Sequence, residues 1–185
     1  AGAMAAILGL DATTVRNVCT QSNTHDGEIA EAVNFNDPAQ TVIAGTRIGV
    51  ERACEALKAA GAKRALPLPV SAPFHSSLMR PAAEKLRVAL EQTLLAAPQI
   101  PVLNNVDVAV VDSPDAIRDA LVRQAFHPVR WVESVQALQA RGVTHVVECG
   151  PGKVLAGLTK RISADLVGAA LYDPTTLAQT KELLA

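Results

Sequence analysis

The absences in this chain narrow its class before any motif is read. None of its apolar runs approaches the roughly 18 residues that a membrane span requires, and no signal-peptide pattern is visible near the start. Cysteine is scarce. Cys19, Cys54 and Cys149 are scattered, odd in number and contain no C-x-x-C pair, so neither a zinc site nor a dithiol redox pair is indicated. Neither sign of charge dominates: 17 Lys and Arg stand against 18 Asp and Glu, a net charge of −1, without the basic excess of a nucleic-acid binder. No internal repeat or low-complexity tract interrupts the pattern. An initiator methionine is also missing. The chain opens Ala1-Gly2-Ala3-Met4 and enters a strand almost at once. A fragment of a longer protein is therefore expected, with a tag remnant before a start at Met4 as the alternative. The expected setting is reducing and cytoplasmic, with neither membrane nor nucleic acid as partner.

What is present is a 185-residue chain, 49% hydrophobic, long enough to bury a core as one domain or two small ones. Residues 3–70 read as strand, helix, strand, strand, helix, strand. The strands fall near Met4–Leu10, Ile29–Phe35, Gln40–Ala44 and Arg64–Val70. Asp11 is placed to cap a helix over Ala12–Thr20, and Thr46 one over Arg47–Ala60, with Gly61 closing it. Asn36-Asp37-Pro38 reads as the hairpin turn. This βαββαβ order is that of a ferredoxin-like unit. Cys19 and Cys54 fall on apolar helix faces, as small core residues.

Beyond this unit the period lengthens. Leu86, Leu90 and Leu94 predict one helix from Leu78 to about Ala96. Short strands follow at Val102–Asn104 and Val108–Val111. Ser113-Pro114-Asp115 starts a helix that ends before His127-Pro128. The remainder reads as helix Val132–Ala140, strand Val143–Glu148, a Gly150-Pro151-Gly152 turn, helix Val154–Ile162, strand Gly168–Tyr172 and helix Thr176–Leu184. The alternation implies an α/β layer structure with a parallel sheet. The domains expected are 1–70, the small α+β subdomain, and 71–185.

Chemistry centres on Val70–Met79, where a strand-like approach breaks at Pro73 and a histidine, His75, sits ahead of a helix. A loop histidine on a fixed scaffold suits proton transfer, although a solvated turn histidine has the same local pattern. The Gly150-Pro151-Gly152 turn between strand and helix is where an anion could meet unpaired amides, with tight packing as the plainer role.

Pro73-Phe74-His75-Ser76 followed by Leu78-Met79 resembles the histidine motif of the malonyl-coenzyme A:acyl carrier protein transacylases. Three more stretches agree in the family's order: Ala32–Gly45 with Asn34-Phe35-Asn36, Leu121–Trp131 with Gln124-Ala125-Phe126-His127-Pro128, and Glu148–Leu155 with Gly150-Pro151-Gly152-Lys153. Together they cover nearly the whole chain. The resemblance implies a ferredoxin-like subdomain joined to the C-terminal part of an α/β-hydrolase-like acyltransferase domain. The implied activity is ping-pong transfer of malonyl from malonyl-coenzyme A to the phosphopantetheine thiol of acyl carrier protein, in fatty-acid or polyketide synthesis. No metal or further cofactor is called for.

The resemblance makes His75 the general base, oriented by the backbone carbonyl of Gln124, whose own side chain is expected to matter little. It puts Phe74 against the acyl group, where a ring leaves no room for an α-branch. Asn34, Asn36 and Gln40 are candidates to line the substrate cleft, two of them alternatively building the hairpin turn. Lys63, Arg64, Lys160 and Arg161 are candidates for docking an acidic carrier protein, where solvated surface charge is the alternative. The family's nucleophile is a serine in a G-x-S-x-G elbow, and none of the chain's serines has glycines two residues to either side. The nucleophile, the oxyanion donors and the N-terminal part of the enzyme are thus expected upstream, and the chain alone is expected to be inactive. Two other readings stand beside this one: an acyltransferase for another acyl-coenzyme A, and a non-catalytic module that binds carrier protein.

Overall fold

The structure is a computed structural model, and it describes residues 2–24 and 27–185. It divides into two compact units, Ala1–Trp131 and Val132–Ala185.

In the first unit, β1 (Gly2–Leu8), α1 (Ala12–Ser22), β2 (Ala30–Asp37), β3 (Gln40–Thr46), α2 (Arg47–Ala59) and β4 (Arg64–Pro67) follow in that order. The strands form an antiparallel sheet in the order β2-β3-β1-β4. Both helix starts follow from their caps. Asp11 accepts from the Thr14 amide at 2.9 Å, and Thr46 Oγ1 accepts from the Gly49 amide at 3.2 Å, each satisfying a first-turn N–H without a helical partner. The main core lies between sheet and helices, built from Ile7, Val15, Cys19, Phe35, Ile43, Val50 and Leu57. A second cluster, Met4, Val33, Val42 and Ala44, gathers the alternate strand positions. Burial pushes the Cys19 thiol up to about 12 and that of Cys54 up as well, so both stay protonated as packing groups.

Three sequence expectations shift. The hairpin turn is not Asn36-Asp37-Pro38: Asn36 lies within β2, and Pro38-Ala39 turns between Asp37 and Gln40. The Asp37 carboxylate accepts from the Ala39 amide at 2.8 Å, an Asx-type closure. The expected strand to Val70 ends at Pro67. The helix expected over 78–96 is shorter. A 3-10 turn at Ser77–Met79 leads into α3 (Arg80–Glu91). Arg118 then stops it, its guanidinium donating to the carbonyls of Leu90 and Thr93 at 3.0 Å each. Leu94 is left 96% exposed.

The hairpin β5 (Leu103–Asn104) and β6 (Ala109–Val110) precedes α4 (Pro114–Gln124), capped by Ser113 as the sequence indicates. The second unit holds most of α5 (Trp131–Ala140), then β7 (His145–Cys149), α6 (Val154–Ile162), β8 (Val167–Leu171) and α7 (Pro174–Leu183). Among the named strands, β7 and β8 pair in parallel; the other strand pairs are antiparallel.

Candidate functional site

His75 sits in a tight turn, Pro73-Phe74-His75-Ser76, closed by the Ser76 amide donating to the Pro73 carbonyl at 3.3 Å. Its φ is +63°, the sign a type II turn requires at its third position. The turn is clamped on both sides. Ser76, wholly buried, donates its hydroxyl to the same Pro73 carbonyl at 2.6 Å. Gly2 of β1 lies so close that a Cβ there would fall 2.3 Å from Pro73 Cδ. One residue further on, both oxygens of the Glu31 carboxylate accept from Ser77, from its amide at 2.7 Å and its hydroxyl at 2.6 Å.

The imidazole Nδ1 lies 3.0 Å from the Gln124 carbonyl oxygen. A carbonyl only accepts, so Nδ1 carries the proton and Nε2 of the neutral ring keeps its lone pair. Gln124 is the last residue of α4, where carbonyls lack helical partners. The preceding carbonyl is used in the same way: Arg123 O accepts from His127 Nδ1 at 2.8 Å. The Gln124 side chain is also engaged. Its Nε2 donates to the carbonyls of His127 and Pro128 at 3.2 and 3.4 Å.

Around this pair the unit is cross-tied. Val129 bridges to β2 in parallel: the Phe35 amide donates to Val129 O at 2.9 Å, and the Val129 amide to Val33 O at 2.8 Å. The Arg80 guanidinium lies 4.4 Å from the Phe126 ring centre, and that ring meets His127 at a tilt of 46°, centroids 4.3 Å apart. Arg123 donates to Asp107 through two nitrogens, at 2.6 and 2.8 Å, and to Asp119 at 2.7 Å. These bonds hold the Asp107 carboxyl below its ordinary range.

Of the other candidates, Phe74 flanks the base and is 44% exposed. Asn34 and Asn36 are half-buried on β2, and Asn34 lies at the bridge to Val129. Gln40 opens β3. Lys63 and Arg64 are exposed at the start of β4, the Lys63 stem packed over Gly9. Lys160 and Arg161 are exposed in the last turn of α6 in the second unit. The Gly150-Pro151-Gly152 turn offers less to an anion than its sequence implies, because the Glu148 carboxylate already accepts from the Ala156 amide at 2.9 Å. Among the described residues no group of three or more His, Cys, Asp or Glu side chains could hold a metal ion, and no helix is long and apolar enough to cross a membrane. Sequence reasoning missed Glu31 and Ser77, and gave Ser76 no role beyond its place in the histidine motif. Nothing in the local pattern marks Glu31, which meets Ser77 across 46 residues.

No family model matches the chain. Its relatives are acyltransferases, and the mixed α/β fold recurs in this class of enzymes that move acyl groups. Within that class the chain is homologous to the malonyl CoA-acyl carrier protein transacylases, and the resemblance drawn from its motifs holds over nearly its whole length. The Escherichia coli K12 protein of that name is 54% identical over 182 residues, 98% of this chain and 58% of that protein. A crystal structure of acyl-carrier-protein S-malonyltransferase from Burkholderia pseudomallei superposes with a TM-score of 0.95 at 63% identity, over 98% of this chain and 58% of that one. A malonyl-transacylase solved in complex with its type II PKS acyl-carrier protein gives 0.95 at 52% identity over the same shares. The chain thus spans somewhat over half the length of the relatives it matches.

Proposed function

We propose that this chain carries the general-base part of a centre that transfers a malonyl group from malonyl-coenzyme A to the phosphopantetheine thiol of acyl carrier protein, in fatty-acid or polyketide synthesis. The observation that carries this reading is the 3.0 Å contact between His75 Nδ1 and the Gln124 carbonyl. A base needs a third group to fix its tautomer and aim its other nitrogen, and a carbonyl does this without competing for the proton.

The serine nucleophile is supplied from outside these 185 residues. His75 Nε2 takes the serine proton as the hydroxyl attacks the thioester carbonyl. The tetrahedral intermediate then collapses, the C–S bond breaks, and the proton passes to the departing coenzyme A sulfur. In the second half His75 takes the proton of the phosphopantetheine thiol, whose sulfur attacks the acyl-serine, and returns it to the serine oxygen. In each half the ring becomes cationic, and the negative end of α4 faces it.

Phe74, half-exposed beside the base, bounds the acyl pocket and disfavours an α-methyl group, a modest discrimination of about 1–3 kcal/mol. Asn34 and Asn36 face substrate from β2. Lys63, Arg64, Lys160 and Arg161 meet the acidic carrier. We read residues 1–70 as a ferredoxin-like subdomain, supported by the sheet order 4-1-3-2 that β1–β4 adopt, and 71–185 as part of an α/β-hydrolase-like acyltransferase domain.

The test is intact-mass spectrometry after incubation with malonyl-coenzyme A. The chain alone is expected to gain no malonyl. Joined to the remaining length of its relatives, it is expected to form malonyl-serine and pass the group to carrier protein, with His75→Ala removing the transfer. Transfer that survives His75→Ala would refute the assignment. Capture of carrier protein with no acylation by the joined protein would favour a binding module instead.

A further inference from the structure

The two groups of the proposed base pair come from segments 49 residues apart, so something must set their separation. Strand β2 touches both sides. At one end Glu31 holds Ser77, two residues beyond His75, through both carboxylate oxygens. Further along, Val33 and Phe35 hold Val129, five residues beyond Gln124, through two backbone hydrogen bonds. Gln124 closes that second arm with its own amide on the His127 and Pro128 carbonyls. The two arms differ in kind. The Val129 arm is backbone pairing and tolerates side-chain change. The Ser77 arm depends on one side chain.

We propose that Glu31 is a positioning residue for His75, and that β2 is the common support that sets the distance from imidazole to carbonyl. Three features of the turn give Glu31 this role. Ser77 opens the 3-10 turn that leads into α3, so its amide has no helical partner and a carboxylate there satisfies it. Both bonds are charge-assisted and short, the strong kind. The turn they clamp holds a non-glycine residue at φ +63°, a conformation that persists only where its surroundings enforce it. Glu31 does not touch the imidazole; it acts through Ser77. The functional meaning rests on His75 being the base, but the test does not.

The test reads the ring itself. In the ¹⁵N-labelled 185-residue chain, long-range ¹H–¹⁵N spectra report the tautomer of each histidine, with His75 assigned by its absence in His75→Asn. The unsubstituted chain is expected to show the Nδ1–H form of His75. In Glu31→Ala the ratio of Nδ1–H to Nε2–H is expected to fall about two- to tenfold, the change that losing one hydrogen bond's net contribution produces. His127 is the internal control. Its Nδ1 bond to Arg123 lies within one segment and is expected to keep its ratio, whereas general loosening of the unit would move both rings. If Glu31→Ala does not fold, Glu31→Gln and Ser77→Ala carry the test, each removing part of the clamp and shifting His75 partway. An unchanged His75 ratio in these folded variants, or equal shifts in His75 and His127, would overturn the proposal. An unsubstituted chain lacking the Nδ1–H preference would overturn the base geometry and the proposal with it.

Discussion

Replacing His75 by glycine rather than alanine separates the backbone cost of the base from its chemistry. Both variants lose the bond to the Gln124 carbonyl, about 0.5–1.5 kcal/mol net. They differ in what the turn demands. At φ +63° an L-residue bears roughly 1–2 kcal/mol of left-handed strain, which alanine keeps and glycine releases. Glycine in turn loses about 0.5–1 kcal/mol more backbone entropy on folding. The balance leaves His75→Gly more stable than His75→Ala by about 0.5–1 kcal/mol, the reverse of their order in an ordinary element. Trp131 is the only tryptophan and closes the first unit, so its fluorescence follows urea unfolding of that unit. With a slope of about 2 kcal/mol per molar, the glycine midpoint is expected roughly 0.3–0.5 M above the alanine one. Equal midpoints, or alanine above glycine, would refute the claim that the turn holds its histidine against local preference.

Two further outcomes follow from the packing. Gly45→Ala puts a Cβ 1.7 Å from the Ile29 carbonyl oxygen, a backbone atom tied by its bond from the Thr46 amide; a loss above roughly 3 kcal/mol is expected in the same titration, beyond ordinary overpacking, and a loss under 1 kcal/mol would contradict it. Asp107 is held below its ordinary range by Arg123. Its stabilising contribution is therefore present above the unfolded carboxylate pKa and is lost as pH falls through the folded value; Asp107→Asn is expected to flatten the acid limb of a stability–pH curve, slightly, because the pair is partly exposed.

The local signals were legible because they act over three or four residues. Asp11, Thr46 and Ser113-Pro114 each mark a helix start that the structure keeps. The overlong helix at 78–96 shows the limit: Leu94 continues the spacing, but the stop comes from Arg118, reaching back 25 and 28 residues. The hairpin differs for a related reason, since Asn36 and Asp37 are equally good turn residues and the bond from the Ala39 amide to the Asp37 carboxylate favours the later turn. The His75–Gln124 pair was reached through family resemblance and not through spacing, because no periodicity relates residues 49 apart. The acceptors of the Gln124 side chain carry no sequence signal for the same reason, being fixed by how 127–128 folds back. Glu31 carried no signal at all.

The way the four-stranded sheet ends bears on solubility. An unpaired strand edge is a template on which another chain can add. On one side the bridge through Val129 occupies the rim of β2. On the other, β4 is only four residues long, opens with exposed Arg64 and closes on Pro67, with Pro69 next but one. Short length, a charge and residues without an amide hydrogen are devices that discourage strand addition. The sheet that supports the proposed base is thereby protected against growing into a larger one, even though Leu66 and Val70 leave apolar surface along that flank.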